Sequence, residues 1–454
     1  MSPITVVTVE TPSLGDRSYV VHDGEVAFVV DPQRDIDRVL AVLVAEGVRL
    51  THVFETHVHN DYVTGGHALA HSTGATYSLN AADEVSFAHH GVHDGDVVTV
   101  GSMDVTVLAT PGHTFTHLSY AVGPTGEGLG ASTAVFTGGS LLFGATGRPD
   151  LLGPDHTDDL VHKQHASVHR LASLLPDTAT VHPTHGFGSF CSATQSDATA
   201  STIGEERRRN PALLQDEATW VREVLDGLNA WPAYYAHMAP ANLAGPSAPD
   251  LSPPDVADPD ELRRRLSAGE WVVDLRNRTA FAAEHAPGTF NFGVEGPFAT
   301  YLGWLIPWGT PLTLLGETPE QVAEAQRELV RIGIDRPAAQ ATGSPTDWSK
   351  GEPASYPTAT FADLADVLHH RPVVVVDVRN ADEYAAGSVR GSVNVPLPAL
   401  LERAGELPQG QLWVHCAGGY RAASAASILA AGGRDVVAVD DTFDTAREVG
   451  LVTS

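Results

Sequence analysis

Lysine is almost missing from this chain. Lys163 and Lys350 stand alone among 454 residues, and arginine raises the basic total to only 27 against 56 acids. The formal charge of −29 builds a field that repels phosphate backbones and anionic headgroups, so neither nucleic acid nor a membrane surface is expected as a partner. Cysteine is equally scarce: Cys191 and Cys416 are the only two, which excludes a disulfide-stapled scaffold and makes a reducing cytoplasm the simplest home. Apolar runs of about 18 residues are lacking, and the first residues, MSPITVVTVETPSLGDRSYVV, have no basic stretch followed by an apolar core, so neither membrane spanning nor export is expected. What remains is 43% hydrophobic and 18% charged residues, the balance of a folded protein, long enough for about three domains.

Composition marks the divisions. Proline, small residues and acids crowd Ala239–Asp258, and Pro, Gly and Ser recur over Ala338–Pro357, both reading as linkers. The expected domains are 1–240, 258–340 and 357–454. The last two are related: Asp274-Leu-Arg-Asn277, Phe281, Gly288 and Asn291 recur as Asp377-Val-Arg-Asn380, Tyr384, Gly391 and Asn394, each displaced by 103 residues. An ungapped match of this kind indicates a tandem duplication. Each copy opens on a short apolar run closed by Asp, continues in a helical stretch and returns to a strand, which predicts parallel α/β sheets.

The copies part where chemistry occurs. In the second, Gln411–His415 leads into Cys416-Ala-Gly-Gly-Tyr-Arg421 and an alanine-rich helical segment. A cysteine at a strand-to-helix turn faces converging backbone N–H groups and the positive helix end, both of which favour the thiolate. The first copy reads Leu312-Thr-Leu-Leu315-Gly316-Glu317 at the matching place; it has no nucleophile, and a silent packing role is expected. The C-x-x-G-x-R loop after D-V-R-N resembles the active-site loop of rhodanese-type sulfurtransferases. That resemblance implies a persulfide on Cys416, with Arg421 and the amides of Ala417, Gly418, Gly419 and Tyr420 holding an anionic donor such as thiosulfate, and sulfite leaving.

The first segment carries a different constellation. Thr51–Phe54 runs into Glu55-Thr-His57-Val-His59-Asn-Asp61-Tyr62, and later come Thr110-Pro-Gly-His113 and Val181-His-Pro-Thr-His185. Histidines two apart at a strand end turn into one loop cavity, where imidazole and carboxylate donors bind a divalent ion. Over roughly the first 215 residues these motifs resemble the metallo-β-lactamase superfamily. Gly147-Arg148-Pro-Asp150 and Gly204–Pro211 look like stretches of its persulfide dioxygenase and glyoxalase II branch. The whole chain is similar to bacterial fusions of persulfide dioxygenase with sulfurtransferase, which serve sulfide detoxification.

The resemblance implies an αββα sandwich followed by two rhodanese-like parallel-sheet domains, one silent. It implies a metal centre drawn from His57, His59, Asp61, His113 and His185, holding one Fe(II) in preference to Zn(II). Arg148 would grip a carboxylate of a glutathione-like thiol persulfide, the small-molecule substrate. Two departures matter. Tyr62 replaces the histidine of the second metal position, which disfavours a binuclear thioesterase of glyoxalase II type. Phe136-Thr-Gly-Gly139-Ser140 has glycine where the family's iron ligand Asp stands, so Asp61, His59, His185 or water completes the shell, or the site is weakly metallated or metal-free. Gly139→Asp is expected to restore the triad, Gly138 leaving backbone room. A sulfurtransferase with a metal-deficient first domain and a non-enzymatic sulfur carrier or sensor remain as alternative functions. Cys191 reads either as an inert buried residue or as a second sulfur acceptor. Homo-oligomerisation is left open.

Overall fold

Runs of β-branched residues bounded by glycine and aspartate give short strands, and their alternating burial places them in covered sheets. The computed structural model describes residues 3–186, 188–194 and 198–453. Its contacts divide into two units, Met1–Pro249 with Val330–Gly333 and Asp250–Leu329 with Ile334–Ser454.

In the first unit, β1 (Thr5–Thr11), β2 (Asp16–His22), β3 (Val26–Val30), β4 (Arg49–Phe54), β5 (Thr76–Asn80) and β6 (His90–Val92) form one sheet in that order. Strands β1 to β3 pair antiparallel and β3 to β6 parallel. Next come β7 (Val97–Val100), β8 (Met103–Ala109), β9 (Leu118–Pro124), β10 (Ala134–Gly138), the short pair β11 (Leu141–Leu142) and β12 (Ala145–Thr146), and β13 (Thr180–Pro183). The second sheet has the order β13-β10-β9-β8-β7.

Tyr19, Val21, Phe28 and Phe54 of the first sheet pack on Val105, Val107, Tyr120 and Phe136 of the second. The alternate residues Val20, Val29 and Val53 meet Val39, Leu43 and Leu69 of helices Asp37–Glu46 and Gly66–Thr73. Leu108, Val135 and Val181 meet Val161, Val168 and Leu171 of helix Pro154–Leu174. The result is the expected αββα sandwich. Each such side chain contributes about 1.5–3 kcal/mol on burial, and a one-residue slip would turn a whole set to the wrong face.

The boundary expected at residue 240 falls inside helix Tyr235–Ala244. Proline and alanine there read as linker, but Asn242 anchors the helix. Its Nδ2 donates to the carbonyls of His59 and Tyr62 and its Oδ1 accepts the Thr64 N–H, all at 2.9 Å.

The second unit carries two parallel sheets. One uses β14 (Trp271–Asp274), β15 (Phe290–Asn291), β16 (Leu312–Gly316) and β17 (Ala339–Thr342), in the order β15-β14-β16-β17. The other uses β18 (Thr358–Ala359), β19 (Val374–Asp377), β21 (Val393–Asn394), β22 (Leu412–His415) and β23 (Val436–Val439), in the order β18-β23-β22-β19-β21; β20 (Ser388–Val389) pairs antiparallel with β24 (Val452–Thr453). The sequence repeat is also a repeat of contacts. Asp274 accepts the Arg276 backbone N–H at 3.0 Å and its guanidinium at 2.7–3.1 Å, and Asp377 with Arg379 reproduces these distances. Asn291 and Asn394 each clamp the carbonyls of their own Asp and Arg at 2.9–3.2 Å. Among the described residues, no helix is long and apolar enough to cross a membrane.

Candidate functional site

The sandwich brings five separated segments together beyond the ends of β3, β4, β8, β10 and β13. Asp31 follows β3 at φ 50°, a left-handed conformation that costs a non-glycine residue on the order of 1–3 kcal/mol and is kept where contacts enforce it. Its carboxylate accepts Thr56 N–H and Oγ1–H, both at 2.7 Å, and the Thr184 hydroxyl, and stands 3.3 Å from His59 Nε2. Glu55 lies 3.3 Å from the same nitrogen, and the Tyr62 hydroxyl 2.9 Å. Burial pushes His59 down, but the Asp31 and Glu55 carboxylates outweigh it and raise it to about 9. Burial pushes Asp31 up, and the His59 charge with the hydrogen bonds holds it at about 2. These contacts all fall on Nε2. His59 Nδ1 is buried without a partner, and ligand atoms of His57, His59 and His185 lie within 4.8 Å of one another, so His59 stays among the candidate ligands, and Tyr62 fills the adjoining space.

The other imidazoles are aimed differently. His113 Nδ1 donates to the Arg148 carbonyl at 2.8 Å, which leaves Nε2 as a lone pair; that atom is buried without a partner. His185 Nδ1 lies 3.0 Å from Asp16 Oδ1 and 3.1 Å from Asp61 Oδ2, so its proton sits there and its Nε2 faces His57 Nε2 at 3.3 Å. Two imidazole nitrogens bound to one tetrahedral ion at 2.0–2.1 Å are about 3.3 Å apart. Burial and the neighbouring imidazoles hold His57 well below its usual pKa and His113 at about 3, which keeps both neutral as ligation requires. His185 is lowered by burial but raised to about 10 by Asp61 and Asp16, so an ion there has to displace a proton. Neither Asp61 oxygen makes an aligned hydrogen bond. The unpartnered His113 Nε2 and the 3.3 Å nitrogen pair fit a divalent ion; a buried polar group left unpaired costs about 1–3 kcal/mol.

Two features differ from the expectations, and a third falls where they allow. Arg148 does not face a ligand: it is buried, its Nε and Nη2 donate to Asp150 at 2.6 and 2.7 Å, and Nη1 and Nη2 reach the carbonyls of Phe190 and Asn229 at 3.2 and 2.6 Å. With these donors spent on the chain, it braces His113 instead. Gly139 leaves no room for an aspartate, because a Cβ there would stand 2.3 Å from His113 Cδ2. Gly138 gives no relief, since a Cβ on it would meet Thr56 Oγ1 at 2.4 Å. Cys191, which the sequence allows as inert or as a sulfur acceptor, is buried in this cluster, its Sγ within 4.8 Å of ligand atoms of His113 and His185. Asp16 and Asp31 carry no motif of their own. The one available signal for Asp31 is an acid closing an apolar run, as Asp274 and Asp377 do.

The second candidate site lies at the turn from β22 to helix Tyr420–Ala431. Cys416 is buried and its Sγ accepts the Gly419 N–H at 3.1 Å, Gly419 adopting φ 93° to point it there. Ala417 and Gly418 are exposed at the rim. Arg421 is held by Glu383 through two bonds of 2.6 and 2.8 Å, and the Tyr420 hydroxyl donates to the Gly293 carbonyl at 2.9 Å. Tyr301, from helix Phe298–Leu305, is pushed up by burial and feels the charges of Arg421, Cys416 and Glu383. Glu383 and Tyr301 lie outside the loop motif and are found only in the fold.

Comparison with known proteins follows the same division. A rhodanese-like domain matches residues 360–445. A hydroxyacylglutathione hydrolase of Cereibacter sphaeroides is 38% identical over 32% of this chain, which spans 55% of that protein's length. The mitochondrial persulfide dioxygenase of Bos taurus is 29% identical over 51% of this chain and 81% of its own. The hydroxyacylglutathione hydrolase of Rhodobacter capsulatus is 30% identical over 47% of this chain and 89% of its own. Among solved structures, a metallo-β-lactamase from Staphylococcus aureus superposes with a TM-score of 0.66 and 26% identity, covering 75% of this chain and 99% of that one.

Proposed function

Starting from a chain that belongs to the metallo-β-lactamase superfamily and carries a rhodanese-like domain, we propose that it is an enzyme of sulfane-sulfur metabolism with two chemistries. The first unit oxidises a low-molecular-weight thiol persulfide to sulfite at a mononuclear iron centre. The second passes sulfur through a persulfide on Cys416. The observation that carries the reading is the convergence of His57, His113 and His185, with His113 Nε2 buried and unpartnered.

His57, His113 and His185 would hold the ion. Bound iron supplies Lewis acidity and one-electron chemistry toward dioxygen, consistent with the similarity to a persulfide dioxygenase. The chain's own contribution is orientation. The Arg148 carbonyl fixes the His113 tautomer, Asp16 and Asp61 fix that of His185, and Thr56 Oγ1 holds His57 Nδ1 at 2.9 Å. Such supports set the direction and basicity of a ligand. In the second unit, Cys416 Sγ attacks the outer sulfur of thiosulfate, the S–S bond breaks and sulfite leaves with its electron pair; an acceptor thiolate then takes the sulfur from the resulting persulfide. Gly419 N–H stabilises the thiolate, and Arg421 meets the anion once it exchanges Glu383 for it.

The deciding experiment is oxygen uptake by iron-loaded protein supplied with glutathione persulfide, with sulfite quantified. Stoichiometric uptake that survives Cys416→Ser while thiosulfate sulfurtransfer is lost supports both halves. Hydrolysis of a hydroxyacylglutathione thioester by the zinc-loaded chain, without persulfide-dependent uptake by the iron form, replaces the first half with a thioesterase.

A further inference from the structure

With an aspartate at position 139 sterically barred by the His113 ring, any additional anionic donor for the proposed centre has to come from elsewhere in the fold. Cys191 is fully buried, and its Sγ, one ligand atom of His113 and one of His185 all lie within 4.8 Å of one another. Donors on a tetrahedral ion, with nitrogen at 2.0–2.1 Å and sulfur at 2.3 Å, are separated by roughly 3.3–3.6 Å, a distance small side-chain rotations reach.

The cysteine and the histidine share one support. Arg148 accepts His113 Nδ1–H through its carbonyl at 2.8 Å, turning the unpartnered Nε2 into the pocket. The backbone N–H of the same residue donates to the Cys191 carbonyl at 2.9 Å, and its guanidinium donates to the Phe190 carbonyl at 3.2 Å. The arginine is itself fixed by Asp150 at 2.6 and 2.7 Å. One rigid residue therefore sets both the metal-facing imidazole and the backbone that carries the thiol, which is how a ligand shell is prepared.

We propose that Cys191 is a metal ligand, its sulfur joining His113 and His185, with His57 beside them, in a nitrogen–sulfur shell that takes the place of the missing carboxylate. Burial and the Asp61 and Asp16 charges push the free thiol up, so binding releases its proton to solvent as the metal–sulfur bond forms. This deepens the metal centre proposed above and rests on it. A thiolate donor selects softer ions, Fe(II), Co(II) or Zn(II), over Mg(II) and Ca(II). Iron accepts more than four donors and keeps a position open for substrate, whereas zinc with all four is a closed tetrahedron. Glycine at position 139 is then explained by packing, because it leaves the His113 ring the space it needs.

Cobalt(II) titration of the full chain reads the shell, because a thiolate gives an intense sulfur-to-cobalt absorption in the near ultraviolet that imidazole and carboxylate do not. One equivalent with that absorption is expected. Cys191→Ser and Cys191→Ala lose the absorption and bind cobalt at least about tenfold more weakly, while Cys416→Ser keeps the absorption. Gly139→Asp weakens binding rather than restoring it. X-ray absorption on the zinc-loaded wild type needs no variant and should show one sulfur neighbour at about 2.3 Å. A bound ion with only nitrogen and oxygen neighbours overturns the assignment of Cys191 and leaves the histidine centre standing. Absence of binding of either ion overturns both.

Discussion

Residues 258–340 and 357–454 build the same frame and put it to different use. In both, an aspartate at a strand end is locked by the arginine two residues on, and an asparagine clamps the carbonyls of that pair. Strand register then sets Asp274 beside Leu315 and Asp377 beside His415. Past that point Gly316 stands where Cys416 does, Ala280 where Glu383 does, and Gln321 where Arg421 does. Gln321 closes its turn on itself, accepting the Glu317 N–H at 2.8 Å and donating to the Leu275 carbonyl at 3.1 Å. The buried Asp–Arg–Asn frame is common to both copies, while the difference between them lies in a few side chains at one turn. Under the proposed sulfur transfer, one copy therefore lacks the nucleophile without losing the sheet.

The comparison breaks most clearly at the nucleophile. Cys416→Ser should lower thiosulfate sulfurtransfer by at least about a thousandfold, since an alcohol does not carry sulfane sulfur; Gly316→Cys in the other copy should gain nothing, because its Cβ meets Val322 at 2.9 Å and no arginine follows. Sulfur transfer measured on Gly316→Cys in a Cys416→Ser background checks both. The frame should fail alike in both copies. Asp274→Ala and Asp377→Ala each leave a buried guanidinium unpaired, at a cost of about 3–5 kcal/mol, to be read from urea unfolding; a large difference between them would mean that the frames are not equivalent.

A pH effect should separate the copies. Burial lowers His415 to about 4, so its folded-state pKa lies below the ordinary 6.5, and its contribution is present above pH 6.5 and lost as pH falls through 6.5 toward 4. The loss amounts to about 3 kcal/mol. His415→Leu, which copies Leu315, should flatten the stability profile in that window, followed by hydrogen exchange of β22. The smallest effect is expected at Arg421→Gln, which copies the silent turn: KM for thiosulfate should rise on the order of tenfold with the fold unchanged, as steady-state kinetics will show.

Much of the fold is legible locally. Apolar runs closed by acids locate the strands, the 103-residue repeat announces paired sheets, and the strand–cysteine–helix order locates the Cys416 turn. What escapes depends on contacts between distant segments. Asp16 reaches His185 across 169 positions and Asn242 reaches His59 across 183, and no local pattern encodes such pairs. Arg148 misleads because the resemblance assigns its guanidinium to a ligand, whereas Asp150, Phe190 and Asn229 take its donors. Room at Gly139 is equally hard to judge from its neighbours in the chain, since the obstacle, the His113 ring, comes from the loop after β8.

The His59 cluster has a consequence for maturation. Asp31, Glu55 and Tyr62 hold that imidazole by charge and hydrogen bonding, so one wall of the pocket is braced by the polypeptide alone. Zinc fingers, by contrast, are unfolded until their ion arrives. If the proposed centre is metal-loaded, a chain braced in this way is expected to complete its fold first and take up its ion afterwards, so that a chelator leaves an intact apoprotein that can be reloaded. Occupancy of such a centre would follow the supply of metal in the compartment, not the history of synthesis.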